Sequence, residues 1–290
     1  MKPLILKIDN KSVFFEFIEN VDIECYYNCK ITNFFFKLSR KLRLPFFELF
    51  LGKWKKNLKE YDTVILFDNG YSDMISKYIK KKVNNIRLIL WFWNPVNEQS
   101  RNFLKDKYID EIWTYDKNDA EKYNLKYNTQ FYTKNIVINT LPKKQDILFL
   151  GREKGRKEEI DNLEKVCKKL NINFKAFIIS NEKDYIPYTK YIEYLQESNA
   201  VLELVKEDIK GLTLRTLEAL FFKKKLITNN RDIVNLQFYN ANNIFVLGID
   251  KLENLKIFMD KPYENIEQKV IDYYDFNEWL KRFEVKNNEF

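Results

Sequence analysis

The chain has 290 residues, of which 45% are hydrophobic, with a net charge of +8 and no histidine. That length and apolar share suffice for one large domain or two ordinary ones, and disorder is excluded as the default. The missing histidine excludes Ser-His and Cys-His nucleophile systems, so proton transfer falls to Asp, Glu, Lys or Tyr, while the positive balance points to an anionic partner.

Three cysteines, Cys25, Cys29 and Cys167, lack the further ligands of a zinc site and read as buried thiols in a reducing cytoplasm. The opening MKPLILKIDN holds too short an apolar run for a secretory signal. No stretch reaches the roughly 18 apolar residues of a membrane span.

The first distinctive segment, 34–56, reads FFFKLSRKLRLPFFELFLGKWKK and interleaves Lys37, Arg40, Lys41, Arg43, Lys53, Lys55 and Lys56 with aromatics. An anionic bilayer or a lipid-linked acceptor suits such a segment. Nucleic-acid binding by stacking and an amphipathic pair of core helices are the rival readings.

Beyond it, short apolar runs at 63–67, 87–93, 111–115, 146–150, 173–179, 200–205, 225–228 and 243–247 alternate with helical patterns. The helical patterns cover 72–82, 97–106, 117–123, 156–170, 189–197 and 213–222. Continuous apolar strands between helices predict parallel sheets buried on both faces. The pattern pauses around 134–145, which marks a boundary between two α/β domains. Residues 273–283, with Trp279 and Phe283 four apart, predict an amphipathic closing helix.

In the first half, Asp68 of FDNGYSD and Asp116 of IWTYDKND follow strands at their carboxyl ends, where ligands of α/β folds collect. Each is a candidate carboxylate base, and ordinary turn or N-cap chemistry is the alternative.

The second half opens with DILFLGREKGRKEEIDNL, a strand, two glycines four apart and a long helix. Such a turn presents backbone N–H groups to an anion. Here Gly151, Arg152, Lys154 and Arg156 would grip phosphate, although the spacing is neither GxGxxG nor a Walker loop. A solvated basic connection is the plain alternative.

A second glycine turn lies in KEDIKGLTLRTLEALFFKKKLITNN, residues 206–230. Thr213 is a good N-cap, and Arg215 and Glu218, three apart, share a helix face. The helix dipole does not favour an Arg there, so an anion is its expected partner, and the Glu218 carboxylate can accept two sugar hydroxyls. A surface ion pair is the alternative.

GLTLRTLEAL followed by KKKLITNN resembles the donor-binding segment of GT-B-fold glycosyltransferases, and FLGREKGR looks like the first strand and loop of their C-terminal domain. With IWTYDKNDAEKYNL, KLITNN and EWLKRF, the set resembles bacterial glycosyltransferases of capsular and lipopolysaccharide biosynthesis over residues 65–283. The resemblance implies an α/β protein of two Rossmann-like domains facing a cleft. Its parts are an acceptor-side domain (1–141), a nucleotide-sugar-binding domain (142–272) and a closing helix (273–290) that packs back across them.

Glu218 matches the second Glu of the family's paired-glutamate motif, and the first falls at Lys210, beside Gly211. That departure leaves the stereochemical course open and offers Lys210 to a phosphate or an acidic sugar.

The expectation is a metal-independent glycosyltransferase without cofactor, cytoplasmic or peripheral at the inner face of the plasma membrane. It moves a sugar from a nucleotide-sugar donor to a glycan or lipid-linked acceptor of the cell surface. The alternatives are a catalytically silent binding protein of the same fold and a basic nucleic-acid-binding protein. Cations concentrated in two turns rather than along a stripe speak against nucleic acid.

Overall fold

The structure of the protein, a computed structural model, describes residues 2–7, 13–27, 30–42, 46–68, 72–98, 100–137, 139, 141–206 and 211–284. Two units emerge, Met1–Thr129 with Glu284–Phe290, and Gln130–Phe283.

The first unit contains, in chain order, β1 (Pro3–Lys7), β2 (Asp22–Cys25), α1 (Lys30–Lys41), β3 (Thr63–Phe67), α2 (Ser72–Lys82), β4 (Arg87–Phe92), β5 (Glu111–Thr114), α3 (Lys117–Tyr123) and β6 (Lys126–Tyr127). Its strands form one sheet in the order β2-β1-β3-β4-β5-β6, and every pairing is parallel. β3 is buried throughout, and β4 is buried beyond Arg87. Strands covered on both faces need apolar side chains at successive positions, which is why these two stand out in sequence.

β1 and β2 were not expected, because PLILK is a short run between charges and DIEC is only partly buried. The helix expected over 97–106 is instead a 3₁₀ segment, Ser100–Lys105. Asn97 and Ser100 exchange hydrogen bonds at its start, and Asp106 accepts from the Tyr108 amide at its end, which leaves no room for a longer helix.

The second unit runs β7 (Gln145–Arg152), α4 (Lys157–Lys169), β8 (Phe174–Ile179), α5 (Tyr188–Gln196), β9 (Ser198–Glu203), α6 (Leu214–Phe221), β10 (Lys225–Thr228), β11 (Ile244–Val246), α7 (Leu255–Asp260), α8 (Gln268–Asp272) and α9 (Phe276–Lys281). The five strands lie in the order β11-β10-β9-β7-β8, again all parallel. Ile160, Leu163 and Cys167 of α4 share a core with Leu255 and Phe258 of α7 and with Ile147, Phe149, Ala200, Leu202, Ile227 and Phe245 of the strands. The α5 and α6 helices pack on β9 and its neighbours. Cys167 is buried as expected and Cys25 is half-buried, whereas Cys29 lies outside the described residues.

The closing segment begins later than predicted because Asp275 caps α9, accepting from the Asn277 amide. Trp279 of α9 lies 4.3 Å from the Phe131 ring, and Tyr132 exchanges backbone hydrogen bonds with Tyr274 and Phe276. Among the described residues no helix is long and apolar enough to cross a membrane.

Candidate functional site

β7 ends at Arg152, and the chain turns into α4 through Lys154 and Gly155, whose φ angles of 44° and 80° are both left-handed. Glycine takes that conformation without a Cβ penalty. Arg156 fastens the turn. Its Nη1 donates to the Leu204 carbonyl beyond β9 at 2.5 Å, its Nη2 to Arg152 O at 2.6 Å, and its Nε to Glu153 O at 3.4 Å.

Both Arg156 and Arg215 place their guanidinium groups 5.7 Å from the Phe149 ring centre. A Cβ added at Gly151 would lie 3.6 Å from Arg215 Nη2 and 3.8 Å from Arg156 Nη2. The structure therefore brings Gly151, Arg156 and Arg215 together, with Arg152 and Lys154 exposed on the same turn. Partial burial and the charges of Arg156, Arg152 and Lys206 lower the Lys154 pKa. Burial and Arg215 lower that of Arg156, offset in part by Glu159, Glu153 and Glu203. Cations that depress one another gain stability from an incoming anion.

The second turn is built on Glu203, the last residue of β9, which is 1% exposed. Thr213 and Thr216 donate their hydroxyls to Oε1, the latter at 2.7 Å, and Thr228 donates to Oε2 at 2.7 Å. Three charge-assisted bonds compensate the desolvation of a buried carboxylate. Thr213 is the N-cap of α6, accepting from the Arg215 amide at 3.1 Å, and Gly211 is buried just before it. Arg215, on the first turn of α6, donates through Nη2 to the Leu150 carbonyl of β7, while its buried Nε has no hydrogen-bond partner among the described residues.

One helical turn on, Glu218 is 4% exposed. Tyr191 donates to Oε2 at 2.6 Å and Tyr188 to Oε1 at 3.0 Å. Tyr188 spends its proton on Glu218, so the 2.5 Å contact between the Tyr132 and Tyr188 hydroxyls has Tyr132 as donor. Burial pushes the Glu218 pKa up to about 7 against the lowering effects of Tyr191, Arg215 and Tyr188. The carboxylate thus sits inside a tyrosine cage, and each oxygen already accepts one hydrogen bond.

In the first unit, Asp68 follows β3 half-buried, and its amide donates to Trp91 O at 2.9 Å. Asp116 is 2% exposed and caps α3, with Oδ1 accepting from the Asp119 amide at 3.0 Å. Asp119 in turn accepts from the Val96 amide at 2.6 Å. Burial raises the Asp119 pKa, the Val96 amide opposes that rise, and the neighbouring Asp116 adds to it.

Lys210 lies outside the described residues. Sequence reasoning missed Glu203 and the three tyrosines. Glu203 was signalled by being the lone charge in AVLELV, a run otherwise apolar. Tyr188 and Tyr191 were signalled by their three-residue spacing on α5, but nothing local ties Tyr132 to them.

No protein-family model matches the chain, and no curated protein matches it in sequence. Solved structures do match in fold. HepE from Anabaena, in complex with UDP and glucose, is similar at a TM-score of 0.55 and 9% identity, with 98% of each chain covered. An α1,3-fucosyltransferase is similar at 0.52 and 11% identity, over 97% of this chain and 89% of that one. A glycosyltransferase from Rickettsia africae is similar at 0.52 and 12% identity, over 99% and 91%. The two parallel α/β units thus have the GT-B-like fold that the resemblance implied.

Proposed function

We propose that the protein is a glycosyltransferase that moves a sugar from a nucleotide-sugar donor to a glycan or lipid-linked acceptor of the cell surface, such as a capsule or lipopolysaccharide precursor. It works in the cytoplasm, peripheral to the inner face of the plasma membrane. The observation that carries the reading is the convergence of Arg156 and Arg215 on Phe149 beneath Gly151, at the carboxyl edge of a parallel sheet. The solved structures of like fold support it, since one was obtained with UDP and glucose and others are named as glycosyltransferases.

In this reading Arg152, Lys154 and Arg215 meet the diphosphate, and the developing charge of the leaving group falls among cations already in place, so the reaction needs no metal. Arg156 spends three donors on backbone carbonyls, so it positions the turn and adds its charge at longer range. Glu218 and its tyrosines fix the first turns of α6, and through them Arg215. Of the two candidate bases Asp68 takes the role, because the Asp116 carboxylate is committed to capping α3.

Titration calorimetry with UDP and UDP-glucose tests the donor site. Binding that falls on the order of a hundredfold in Arg215→Ala is the expected result, as loss of charge-assisted bonds costs about 3 kcal/mol. Unchanged binding would refute the assignment.

A further inference from the structure

The α1 helix buries one face and leaves a second apolar face uncovered. Phe36 and Ser39 point inward, at 0% and 2% exposure, with Phe36 4.7 Å from Tyr27 and 5.8 Å from Phe47. Ile31, Phe34, Phe35, Leu38 and Leu42, at 67%, 62%, 43%, 37% and 58% exposure, recur every three to four residues and form a second stripe roughly 100° wide. The stripe continues onto the following 3₁₀ turn through Leu49, which is 69% exposed, and Phe35 stacks on Phe50 of that turn. A patch this continuous is unusual on a soluble surface and marks a place of interaction.

Charge selects the partner. Lys37 and Lys41 lie on α1 beside the stripe, and Lys53 and Lys56 are exposed on the next 3₁₀ turn. Residues 30–56 hold eight Lys and Arg and one acid, Glu48, a net +7 against +8 for the whole chain. Glu48 is already paired with Lys82 at 3.5 Å, and Arg43 lies outside the described residues. Apposing two copies through this face would gather lysines of both around one apolar contact with only one Glu48 from each copy to offset them. A twelve-residue helix rises only about 18 Å, too short to span a bilayer and suited to lying in its interface.

We propose that the exposed face of α1 docks on an anionic phospholipid surface, with Ile31, Phe34, Leu38 and Leu42 entering the acyl boundary and Lys37 and Lys41 meeting the headgroups. Lysine stems reach back to headgroup level while their apolar neighbours go deeper. The proposal deepens the peripheral membrane location proposed above, on which it rests, and is independent of sugar transfer. The vesicle measurement uses no nucleotide, so either reading can fail without the other.

The test is co-sedimentation of the full chain with vesicles of phosphatidylcholine alone and with 30% phosphatidylglycerol. Binding to the anionic vesicles that weakens steeply with salt is expected, as are far weaker binding to the neutral ones and a roughly tenfold or greater loss in Lys37→Gln/Lys41→Gln. Phe34→Ser/Leu42→Ser should lose binding by a similar or larger factor with a melting temperature near that of the parent, since these side chains are 62% and 58% exposed. Failure to bind, equal binding to both vesicle types, or variants that bind like the parent would overturn the proposal. So would a dimer in sedimentation that Leu38→Ser dissolves while vesicles are ignored.

Discussion

At the carboxyl edge of the second unit's sheet the converging side chains are Arg156, Arg215 and the turn cation Lys154, backed by the buried acids Glu203 and Glu218. At the same edge of the first unit Asp68 and Asp116 follow β3 and β5 and Asp119 stands on the first helical turn of α3, with Lys7 at the end of β1. Similar sheets thus present opposite chemistry. In the second unit acids are turned inward and stabilised by hydroxyls, which leaves cations for the turns. In the first unit acids stand at the strand ends themselves, where backbone amides hold two of them, Asp119 N on Asp116 and Val96 N on Asp119. The strand framework decides where ligands collect, and the turn residues decide what charge they meet.

The sharpest way to break this comparison is at Asp68. Asp68→Asn should lower the rate of sugar transfer about 10²- to 10⁴-fold if that carboxylate is the base, with little change in donor affinity. Asp116→Asn serves as its partner experiment, because Asn is as good an N-cap as Asp and leaves the α3 cap intact. Transfer rate and melting temperature should then both be near those of the parent. If instead Asp116→Asn abolishes transfer and Asp68→Asn does not, the roles are reversed.

Glu203 probes the inward-facing acids. Glu203→Ala leaves Thr213, Thr216 and Thr228 without their shared acceptor and opens a cavity beside α6, at a cost of about 3 kcal/mol. Urea unfolding measures that loss, and Glu203→Gln, which keeps an acceptor oxygen, should lose about half as much. An Ala variant as stable as the parent would mean that the carboxylate organises nothing.

Much of the framework was legible and the acids were not, for one physical reason. β3, β4, β7 and β9 announce themselves because burial on both faces demands consecutive apolar side chains, and the Thr213 and Asp116 caps because capping is local. The fate of a carboxylate depends on what the fold brings to it from afar. Glu218 reads from its helical spacing as sharing a face with Arg215 and offering its oxygens to sugar hydroxyls, yet Tyr188 and Tyr191 reach it from α5, thirty and twenty-seven residues away, and enclose it. Asp116 and Asp68 have the same relation to their strands in sequence, and the partners of the chain beyond them set one as a cap and leave the other half-buried.

The tyrosine cage gives the second unit's edge a pH signature of its own at Glu218. The folded-state pKa of Glu218, about 7, lies above its unfolded value of 4.5, so the folded protein binds the proton more tightly. The stabilisation is complete below pH 4.5 and is lost as pH rises through about 7, amounting to about 3 kcal/mol over that window. Glu218→Gln should flatten the stability profile between pH 5 and 8, as read by urea midpoints. A profile that rises over this window in the parent and is untouched by Glu218→Gln would place the carboxyl in contact with water.

The smallest effect distinguishes a glycine kept for the fold from one kept for a ligand. Gly155, at φ 80°, is left-handed, so Gly155→Ala should cost about 1 kcal/mol of stability whatever binds nearby. Gly151 is not in that region, and a Cβ there meets Phe149 at 3.4 Å and the two guanidinium groups at 3.6 and 3.8 Å, which are ordinary contacts. Gly151→Ala should therefore leave the melting temperature unchanged or slightly raised, by at most about 0.5 kcal/mol. If the donor diphosphate meets Arg215 as proposed, it passes over this residue, and the added methyl should weaken UDP binding several-fold in calorimetry while the fold stays intact. Equal UDP affinity in Gly151→Ala and the parent would move the phosphate site away from the β7 turn and leave Arg215 and Arg156 as a structural clamp on Phe149.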